Sequence, residues 1–184
     1  MDISLEKCVK EFKLFQKNNI SELQKIVKAN NTFSSTVFNA KTDIQNGKFD
    51  NKNVVYYFKI KSKIKSEIIC KHISEEKNNN KYLKLPKVNS INIMDGEVEN
   101  RVLYVGKSLG KFSARLNQHQ GNESPKTYAL HLKEWKRIFG TEIQLELFYI
   151  YFNSDKINSN PELLELIETS LHNRLKPILG RTGH

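Results

Sequence analysis

Residues 101–121 read RVLYVGKSLGKFSARLNQHQG and combine a short apolar run with glycine, tyrosine and basic side chains. The β-branched and aromatic character of residues 101–105 predicts a strand, and Gly106 is expected to end it. Residues 111–119 then have the composition of a helix. The stretch is either an ordinary basic strand and helix or the working face of an enzyme that acts on phosphate.

Arg115 and His119 are four residues apart on the predicted helix, which places both side chains on one face. An arginine can bind a phosphate through two N–H groups, and a histidine can donate to a leaving oxygen or relay a proton. A basic helix that faces solvent is the alternative, and the spacing does not separate the two. His131 and His172 are expected on helix surfaces, and together with the terminal His184 they make no convincing zinc site.

The composition describes one compact basic domain. The chain has 184 residues, with 30 lysines and arginines against 20 aspartates and glutamates. The net charge of +10 attracts polyanions, nucleic acid above all, although many basic proteins bind no specific nucleic acid. Cys8 and Cys70 lack the spacing of a metal site, which fits a reducing compartment. The chain shows no signal peptide and no stretch approaching the ~18 apolar residues that span a bilayer, so a cytoplasmic protein without a membrane partner is expected.

The first half of the chain gives mixed signals. Apolar residues between 5 and 28 predict one or two amphipathic helices, with a break near residues 17–19. The polar residues 30–53 predict a connector. Residues 53–61, rich in β-branched and aromatic side chains, predict a strand. Residues 62–100 contain a polar tract, a proline and a turn signal, and predict a hairpin or an excursion from the sheet.

The second half of the chain has a clearer periodicity of apolar residues. A helix is predicted over residues 127–139, with Gly140 as its stop. Apolar side chains alternate along residues 142–152, which is typical of a strand. Asn160 is expected to cap a final helix over residues 162–175.

A metal-dependent nuclease needs a carboxylate for the cation, a base that deprotonates water, and cations that stabilise charge on the phosphate. Glu168 borders the apolar face of the final predicted helix, where most carboxylates are merely solvated. Tyr56 and Tyr104 lie on predicted strands, where paired tyrosines more often pack across strands than take part in chemistry. A tyrosine that acts as the base would need its pKa of about 10 lowered by cations, and Lys107 and Arg115 could supply that field.

Several of these pieces occur in an order that resembles the GIY-YIG nuclease superfamily. The matching residues are VVYYF (54–58), LYVG (103–106), Arg115, Glu168 and the KP pair (176–177). The resemblance covers residues 54–184 and implies an α+β fold with a small central antiparallel three-stranded sheet flanked by helices. Residues 1–53 would then form a helical N-terminal extension with a connector, and residues 62–100 an insertion between the first two core strands.

The resemblance also implies a set of site residues. Tyr56 matches the tyrosine of the first half-motif, and Tyr104 and Gly106 match the second. Arg115 matches the helix arginine that contacts the scissile phosphate, and Glu168 matches the single glutamate that binds the metal. The implied activity is hydrolysis of DNA phosphodiester bonds by an endonuclease that uses Mg²⁺ or Mn²⁺.

One further residue points to a branch of the superfamily. His119 resembles the additional active-site histidine of the GIY-YIG restriction endonucleases, which implies a role in restriction or defence. Lys107, Lys111 and Gly106 are the residues expected to contact nucleic acid. Restriction enzymes of this type pair subunits to cut both strands, so a homodimer is expected, with the N-terminal helices or the insertion as its interface or as a DNA clamp.

The chain departs from the family pattern at three points. Val54 replaces the first glycine of the motif, and residues 62–100 lengthen the gap between the two half-motifs. Gly180 stands where the family often has an asparagine, a role that Asn173 or Arg181 could take. Two other functions stay open: a nucleic-acid-binding protein of this fold that no longer cleaves, and a basic assembly or scaffold protein that acts through its N-terminal helices.

Overall fold

The computed structural model describes residues 5–29, 33–39, 44, 49–89, 101–139, 143–152, 157–158 and 160–180. Its helices and strands, in chain order, are α1 (Leu5–Ala29), β1 (Ser34–Asn39), β2 (Asn53–Ile60), α2 (Ser66–Asn79), β3 (Val102–Ser108), α3 (Phe112–Gln120), α4 (Leu132–Phe139), β4 (Gln144–Phe152) and α5 (Glu162–Leu175). The element content is α+β, as the sequence predicts.

The sheet has four strands in the order β1-β4-β2-β3, and every neighbouring pair is antiparallel. β2 therefore lies inside the sheet, with Tyr56 opposite Gly106 of β3 and Tyr149 of β4. The antiparallel α+β class is confirmed. The prediction of three strands is wrong, because β1 adds a fourth along the other side of β4.

β1 lies within residues 30–53, which the sequence predicts to be a connector. Its six residues, SSTVFN, include only two large apolar side chains, and Val37 is 57% exposed. Phe38 contacts Phe58 edge-to-face at a centroid distance of 6.0 Å. Because β1 has so little apolar character, we attribute its formation to backbone pairing with β4. A local sequence pattern does not reveal such pairing.

β3 differs from its predicted bounds at a position that matters for the site. The strand continues through Gly106 to Ser108, so the prediction that Gly106 ends it is wrong. Glycine inside a strand often marks the close approach of another group. Here Gly106 lies directly opposite Tyr56 of β2.

Of the two helices in the first half, α1 differs from the prediction and α2 separates two predicted alternatives. α1 runs without interruption through residues 17–19, where a break is predicted. It contains neither glycine nor proline, so no residue of the helix disrupts its backbone hydrogen bonds. α2 occupies part of residues 62–100, which is the predicted excursion from the sheet and not the alternative of a hairpin, and Ile69 and Ile73, about one turn apart, join the core. Residues 90–100 lie outside the described residues.

α3 forms as predicted, and Gly121 follows it in the left-handed region at a φ of 85°. α4 begins later than the predicted residue 127. His131, immediately before it, has a φ of 50°, which a right-handed helix does not include. The predicted stop at Gly140 lies outside the described residues.

α5 has the predicted bounds, but its first turn is held differently. The N-cap residue is Pro161, whose side chain makes no capping hydrogen bond, and not the predicted Asn160. The backbone carbonyl of Asn160 instead accepts from the N–H of Leu163 at 3.1 Å. The helix therefore begins through main-chain bonding, with Pro161 at the position that precedes its first residue.

Different helices cover the two faces of the sheet. Tyr56 and Phe58 of β2 belong to a core that includes residues of α2, α3 and α4. Val55 faces the other way and packs with Leu163 and Leu164 of α5. α3 and α5 therefore lie on opposite faces of the sheet. In the ranges that the structure describes, no helix is long and apolar enough to cross a bilayer.

Candidate active site

Two tyrosine rings from neighbouring strands meet beside Gly106. Tyr56 on β2 and Tyr104 on β3 have ring centroids 6.4 Å apart. A Cβ atom at Gly106 would lie 2.7 Å from the Tyr56 hydroxyl oxygen and 2.8 Å from Tyr104 Cε1, well inside the usual separation of non-bonded atoms. Gly106 is therefore not the predicted turn residue. It is a strand position whose missing side chain makes room for both rings.

Gly106→Ala is expected to lower the free energy of unfolding by about 1–3 kcal/mol, the usual cost of overpacking a filled site. Urea denaturation measures this loss. The two tyrosine rings, and not the Tyr56 hydroxyl alone, crowd the new methyl group, because Tyr104 Cε1 and Tyr56 Cζ both lie 2.8 Å from it. Unchanged stability in Gly106→Ala would contradict the close contact.

Arg115 on α3 joins the two tyrosines. Its Nε donates to the Tyr56 hydroxyl oxygen at 3.2 Å, and one terminal nitrogen donates to that of Tyr104 at 3.3 Å. The other terminal nitrogen donates to Gln118 Oε1 at 2.7 Å. All three guanidinium nitrogens are therefore hydrogen-bonded, and their positive charge lies beside both phenolic oxygens.

His119, one turn further along α3, is fully buried and completes the group. Its Nε2 lies 2.8 Å from the Tyr56 hydroxyl oxygen, and its Nδ1 accepts from the backbone N–H of Leu130 at 3.2 Å. Because a backbone N–H can only donate, Nδ1 carries a lone pair, and the proton of the neutral ring belongs on Nε2. The ring therefore donates to Tyr56.

His119 is neutral at physiological pH. Burial lowers the pKa of its imidazole well below the ordinary value of 6.5, and the nearby Arg115 and His131 lower it further. A neutral ring has one N–H, which is the one that faces Tyr56. His119 thus acts as a fixed hydrogen-bond donor.

The Tyr56 hydroxyl oxygen accepts two hydrogen bonds, from His119 and Arg115. Within the described part of the chain, no acceptor faces the proton of the Tyr56 hydroxyl group. Burial raises the pKa of Tyr56 above its ordinary value of 10, and the opposing effect of Arg115 is smaller. Arg115 acts in the direction that a catalytic base would need, but the pKa is raised overall because the phenol is fully enclosed. Tyr56 is protonated at rest, with two donors positioned to stabilise a phenolate.

The loop between α3 and α4 holds the Leu130 peptide in place. Trp135 Nε1 donates to the Leu130 carbonyl oxygen at 2.8 Å, while the Leu130 N–H is bound to His119. His131 is buried, and its Nε2 lies 2.9 Å from the carbonyl oxygen of Thr127. The prediction that His131 lies on a helix surface is wrong, since it precedes α4 and braces the loop that orients His119.

A second group of charged side chains joins β3 to α5. Lys107 Nζ lies 2.8 Å from Glu168 Oε2 and 3.7 Å from Glu165 Oε2. The two glutamates are three residues apart, so one face of α5 presents both. The negative charge of Glu168 contributes to the raised pKa of Tyr56, which links this ion pair to the tyrosines.

Glu168 is the residue that the family resemblance assigns to a metal ion. Its side chain is 20% exposed. Mg²⁺ in phosphate-handling sites takes one or two carboxylates together with waters and substrate oxygens. Glu168, with Glu165 one turn away, fits that donor chemistry, and Lys107 binds the same carboxylate. Among the described residues, no three His, Cys, Asp or Glu side chains come together as a metal site.

The segment after α5 runs back along β3 and brings Gly180 to Tyr104. The Leu179 N–H donates to the carbonyl oxygen of Leu103 at 2.8 Å. Gly180 has a φ of +114°, and a Cβ there would lie 3.5 Å from the Tyr104 ring and 3.7 Å from His172 Nε2. An asparagine at position 180 would therefore be strained.

His172 is an additional buried group beside Tyr104. It is 7% exposed, so the prediction that it lies on a helix surface is wrong. Its Nε2 has no hydrogen-bond partner in the part of the chain that the structure describes. Burial lowers its pKa. Asn173 is exposed, and Arg181 lies outside the described residues.

The buried histidines predict a loss of stability in mild acid. The folded-state pKa values of His119 and His172 are lowered, so below about pH 6.5 the unfolded chain binds more protons than the folded one. Their contribution to stability is complete above that pH and is lost as the pH falls towards the folded-state values. The free energy of unfolding should fall by at most about 1.4 kcal/mol per pH unit for each histidine. Urea denaturation near neutrality and in mild acid measures the slope, and His119→Gln should reduce it; an unchanged slope would refute the assignment.

No protein-family model, no curated protein and no solved structure matches the chain. The GIY-YIG resemblance therefore stays a hypothesis that rests on motif residues. The function has to be argued from the side chains that the fold brings together.

The fold brings together most of the predicted site residues. We call the hydrogen-bonded group the tyrosine cluster; it consists of Tyr56, Tyr104, Arg115 and His119. Gly106 makes room for it, whereas Lys107 and Glu168 form an ion pair on the face of the sheet that α5 covers. Lys111 is exposed at the residue before α3 and makes no hydrogen bond to these groups within the described ranges.

Four groups at the site were not predicted: Gln118, the Leu130 peptide, Glu165 and His172. The spacing of Glu165 from Glu168 on one helix was a usable signal. Gln118 likewise follows Arg115 by three residues on one helix. The other two depend on contacts between distant segments, so no local pattern marks them.

Proposed function

We propose that the chain is a metal-dependent DNA endonuclease of the GIY-YIG type that hydrolyses phosphodiester bonds. One observation carries the proposal: Arg115 hydrogen-bonds two strand tyrosines while His119 donates to Tyr56. The family resemblance assigns these same side chains to catalysis. His119 is fully buried and Arg115 partly buried beside the two phenols, and removing these polar groups from water has a free-energy cost that apolar residues would avoid.

In this proposal Tyr56 is the general base, and because its hydroxyl is enclosed at rest, substrate binding has to admit the attacking water to it. The active form is its phenolate, which takes a proton from water as the water oxygen bonds to phosphorus and the bond from phosphorus to the leaving sugar oxygen breaks. The leaving oxygen takes a proton from solvent. The N–H groups of His119 and Arg115 both donate to the Tyr56 oxygen and stabilise its negative charge. Because burial raises the pKa of Tyr56, the phenolate is a minor species at neutral pH.

Arg115 also binds the phosphate in this proposal. Its three nitrogens donate to Tyr56, Tyr104 and Gln118, which uses three of its five N–H groups. A phosphate oxygen can accept from a second N–H of a terminal nitrogen while the Nε bond to Tyr56 stays intact. One guanidinium group can then stabilise both the base and the phosphate.

Glu168 would hold Mg²⁺ or Mn²⁺, with Glu165 as a second carboxylate one turn away. A bound cation would supply positive charge where negative charge develops on the phosphodiester oxygens. Lys107 adds a further cation next to Glu168.

The net charge of +10 supports DNA as the partner. His119 supports a restriction or defence role, through its resemblance to the restriction branch. A homodimer that cuts both strands is part of the same proposal.

Incubation with a mixture of supercoiled plasmid and phage DNA tests the proposal. We expect nicking or linearisation with Mg²⁺ or Mn²⁺ and none in excess chelator. Sequencing the ends would give any recognition sequence, and base-modified DNA would show whether modification protects. Intact DNA under every metal condition, with circular dichroism showing folded protein, would refute the nuclease.

A nucleic-acid-binding protein that no longer cleaves is the second candidate. The ion pair between Lys107 and Glu168 favours it, because the ammonium group already binds the oxygen that a metal would use. The glycine at position 180 favours it as well. This candidate predicts salt-sensitive DNA binding without metal-dependent nicking, and Glu168→Ala would leave its behaviour unchanged.

A further inference from the structure

Two tyrosines outside the tyrosine cluster are unusually exposed. Tyr82 is 72% and Tyr128 63% exposed, the highest values among large hydrophobic side chains of the described residues. Exposed apolar rings of this size commonly mark interaction sites when they lie together.

Backbone hydrogen bonds hold the segments of these two tyrosines side by side. The Lys84 N–H donates to the Pro125 carbonyl oxygen at 2.8 Å, and the Ala129 N–H donates to the Lys84 carbonyl oxygen at 3.2 Å. The leucines on either side of Lys84 are buried, whereas the lysine is exposed. The two segments therefore form one edge with a buried underside and an exposed outer side.

Lysines accompany the tyrosines on this edge. Lys84 Nζ lies 5.3 Å from the centroid of the Tyr128 ring. Glu123 is the one acidic residue in residues 81–85 and 122–130. We call the exposed lysines and tyrosines of these segments the lysine–tyrosine surface: Lys81, Tyr82, Lys84, Lys126 and Tyr128.

We infer that the lysine–tyrosine surface binds single-stranded DNA beside the cleavage site, an inference that rests on the proposed function for its substrate class. Exposed aromatic rings stack on unpaired bases, and lysines neutralise the phosphates between them. The bases of a duplex are already stacked on one another, so a duplex would engage the lysines and leave the rings without partners. The exposed rings thus favour a single strand.

The lysine–tyrosine surface is connected to the tyrosine cluster through one loop. Tyr128 is two residues before Leu130, whose N–H orients His119. Lys84 binds the same loop at Pro125 and at Ala129. A DNA strand held on Tyr128 therefore steadies the peptide that fixes the hydrogen bond from His119 to Tyr56.

Fluorescence anisotropy in excess chelator tests the inference, with a labelled single-stranded oligonucleotide and the matching duplex as probes. For Tyr82→Ala and Tyr128→Ala we expect the single-strand Kd to rise about 5- to 100-fold per stacked base, with less than about a twofold change for the duplex. Tyr128→Phe keeps the ring and should bind like the wild type. Lys84→Ala should reduce the salt dependence of single-strand binding by about 0.7 in log–log slope.

Unchanged single-strand affinity in both alanine variants would overturn the inference, as would an equal loss for the duplex. Tyrosine-dependent dimerisation with unaffected DNA binding would assign this surface to a second copy of the chain. The inference and the proposed function fail separately. Plasmid cleavage without tyrosine-dependent affinity would support the nuclease and refute binding at the lysine–tyrosine surface. Tyrosine-dependent single-strand binding without cleavage would support the surface and refute the nuclease.

Discussion

Replacing Tyr56 with phenylalanine is expected to slow metal-dependent DNA cleavage by about 10²–10⁴-fold, the contribution of a positioned general base. The ring keeps its contacts with Phe58 and Phe112, but the oxygen that accepts from His119 and Arg115 is gone. The buried N–H of His119 then lacks an acceptor, which should lower the free energy of unfolding by about 1–3 kcal/mol. Single-turnover nicking kinetics measures the rate, and urea denaturation measures the stability.

Tyr57→Phe is the matched control for this experiment. Tyr57 is the next residue of β2, lies on the other face of the sheet and stacks on Phe148 at a centroid distance of 4.6 Å. Removing the Tyr57 hydroxyl should leave the cleavage rate close to that of the wild type. A wild-type rate in Tyr56→Phe would show that Tyr56 is not the base. Equal losses in the two variants would show that the strand, and not the hydroxyl, is responsible.

Glu168→Gln is expected to reduce Mg²⁺-dependent cleavage by about 10³-fold or more, because a catalytic cation contributes several kcal/mol of transition-state stabilisation. The amide has nearly the same shape as the carboxylate but lacks the negative charge that holds the cation. Lys107 keeps an oxygen acceptor, so the fold should persist. Nicking rates across Mg²⁺ and Mn²⁺ titrations measure the effect, and a thermal melt checks the fold.

Glu165→Gln provides the comparison for Glu168→Gln. It removes a carboxylate on the same helix face, 3.7 Å from Lys107, and leaves the 2.8 Å pair with Glu168 intact. We expect a loss of no more than about 10- to 100-fold, the range for a group that acts through a metal ligand. If Glu165→Gln stops cleavage and Glu168→Gln does not, the metal belongs to the other carboxylate.

Elements with a strong local period could be predicted from the sequence. Leu145 and Leu147 of β4 alternate with more exposed residues and are buried, as a period of two requires. The bounds of α5 follow from its apolar stripe and from the proline before it. Among the site residues, Arg115 and His119 are predictable because a helix spacing of four places them on one face.

The incorrect predictions share a non-local cause. β1 exists because β4 offers it a pairing edge. Gly106 stays in its strand because the Tyr56 ring needs the space opposite it, although glycine is locally a turn signal. The net pKa shift of Tyr56 depends on complete enclosure, which its neighbours in sequence do not determine. The burial of His172 likewise depends on the returning segment at Gly180.

The proton of His119 lies on Nε2 because Nδ1 accepts a hydrogen bond from the main-chain N–H of Leu130. That hydrogen bond does not depend on which side chain stands at position 130. A scan that truncates side chains would detect only the packing of this buried leucine, and every substitution except proline preserves the bond. A one-residue insertion or deletion between α3 and α4 would instead present a different peptide group to the ring. Descendants of this chain could therefore vary the side chain at Leu130 and keep this bond, but a change in loop length could alter which ring nitrogen of His119 carries the proton.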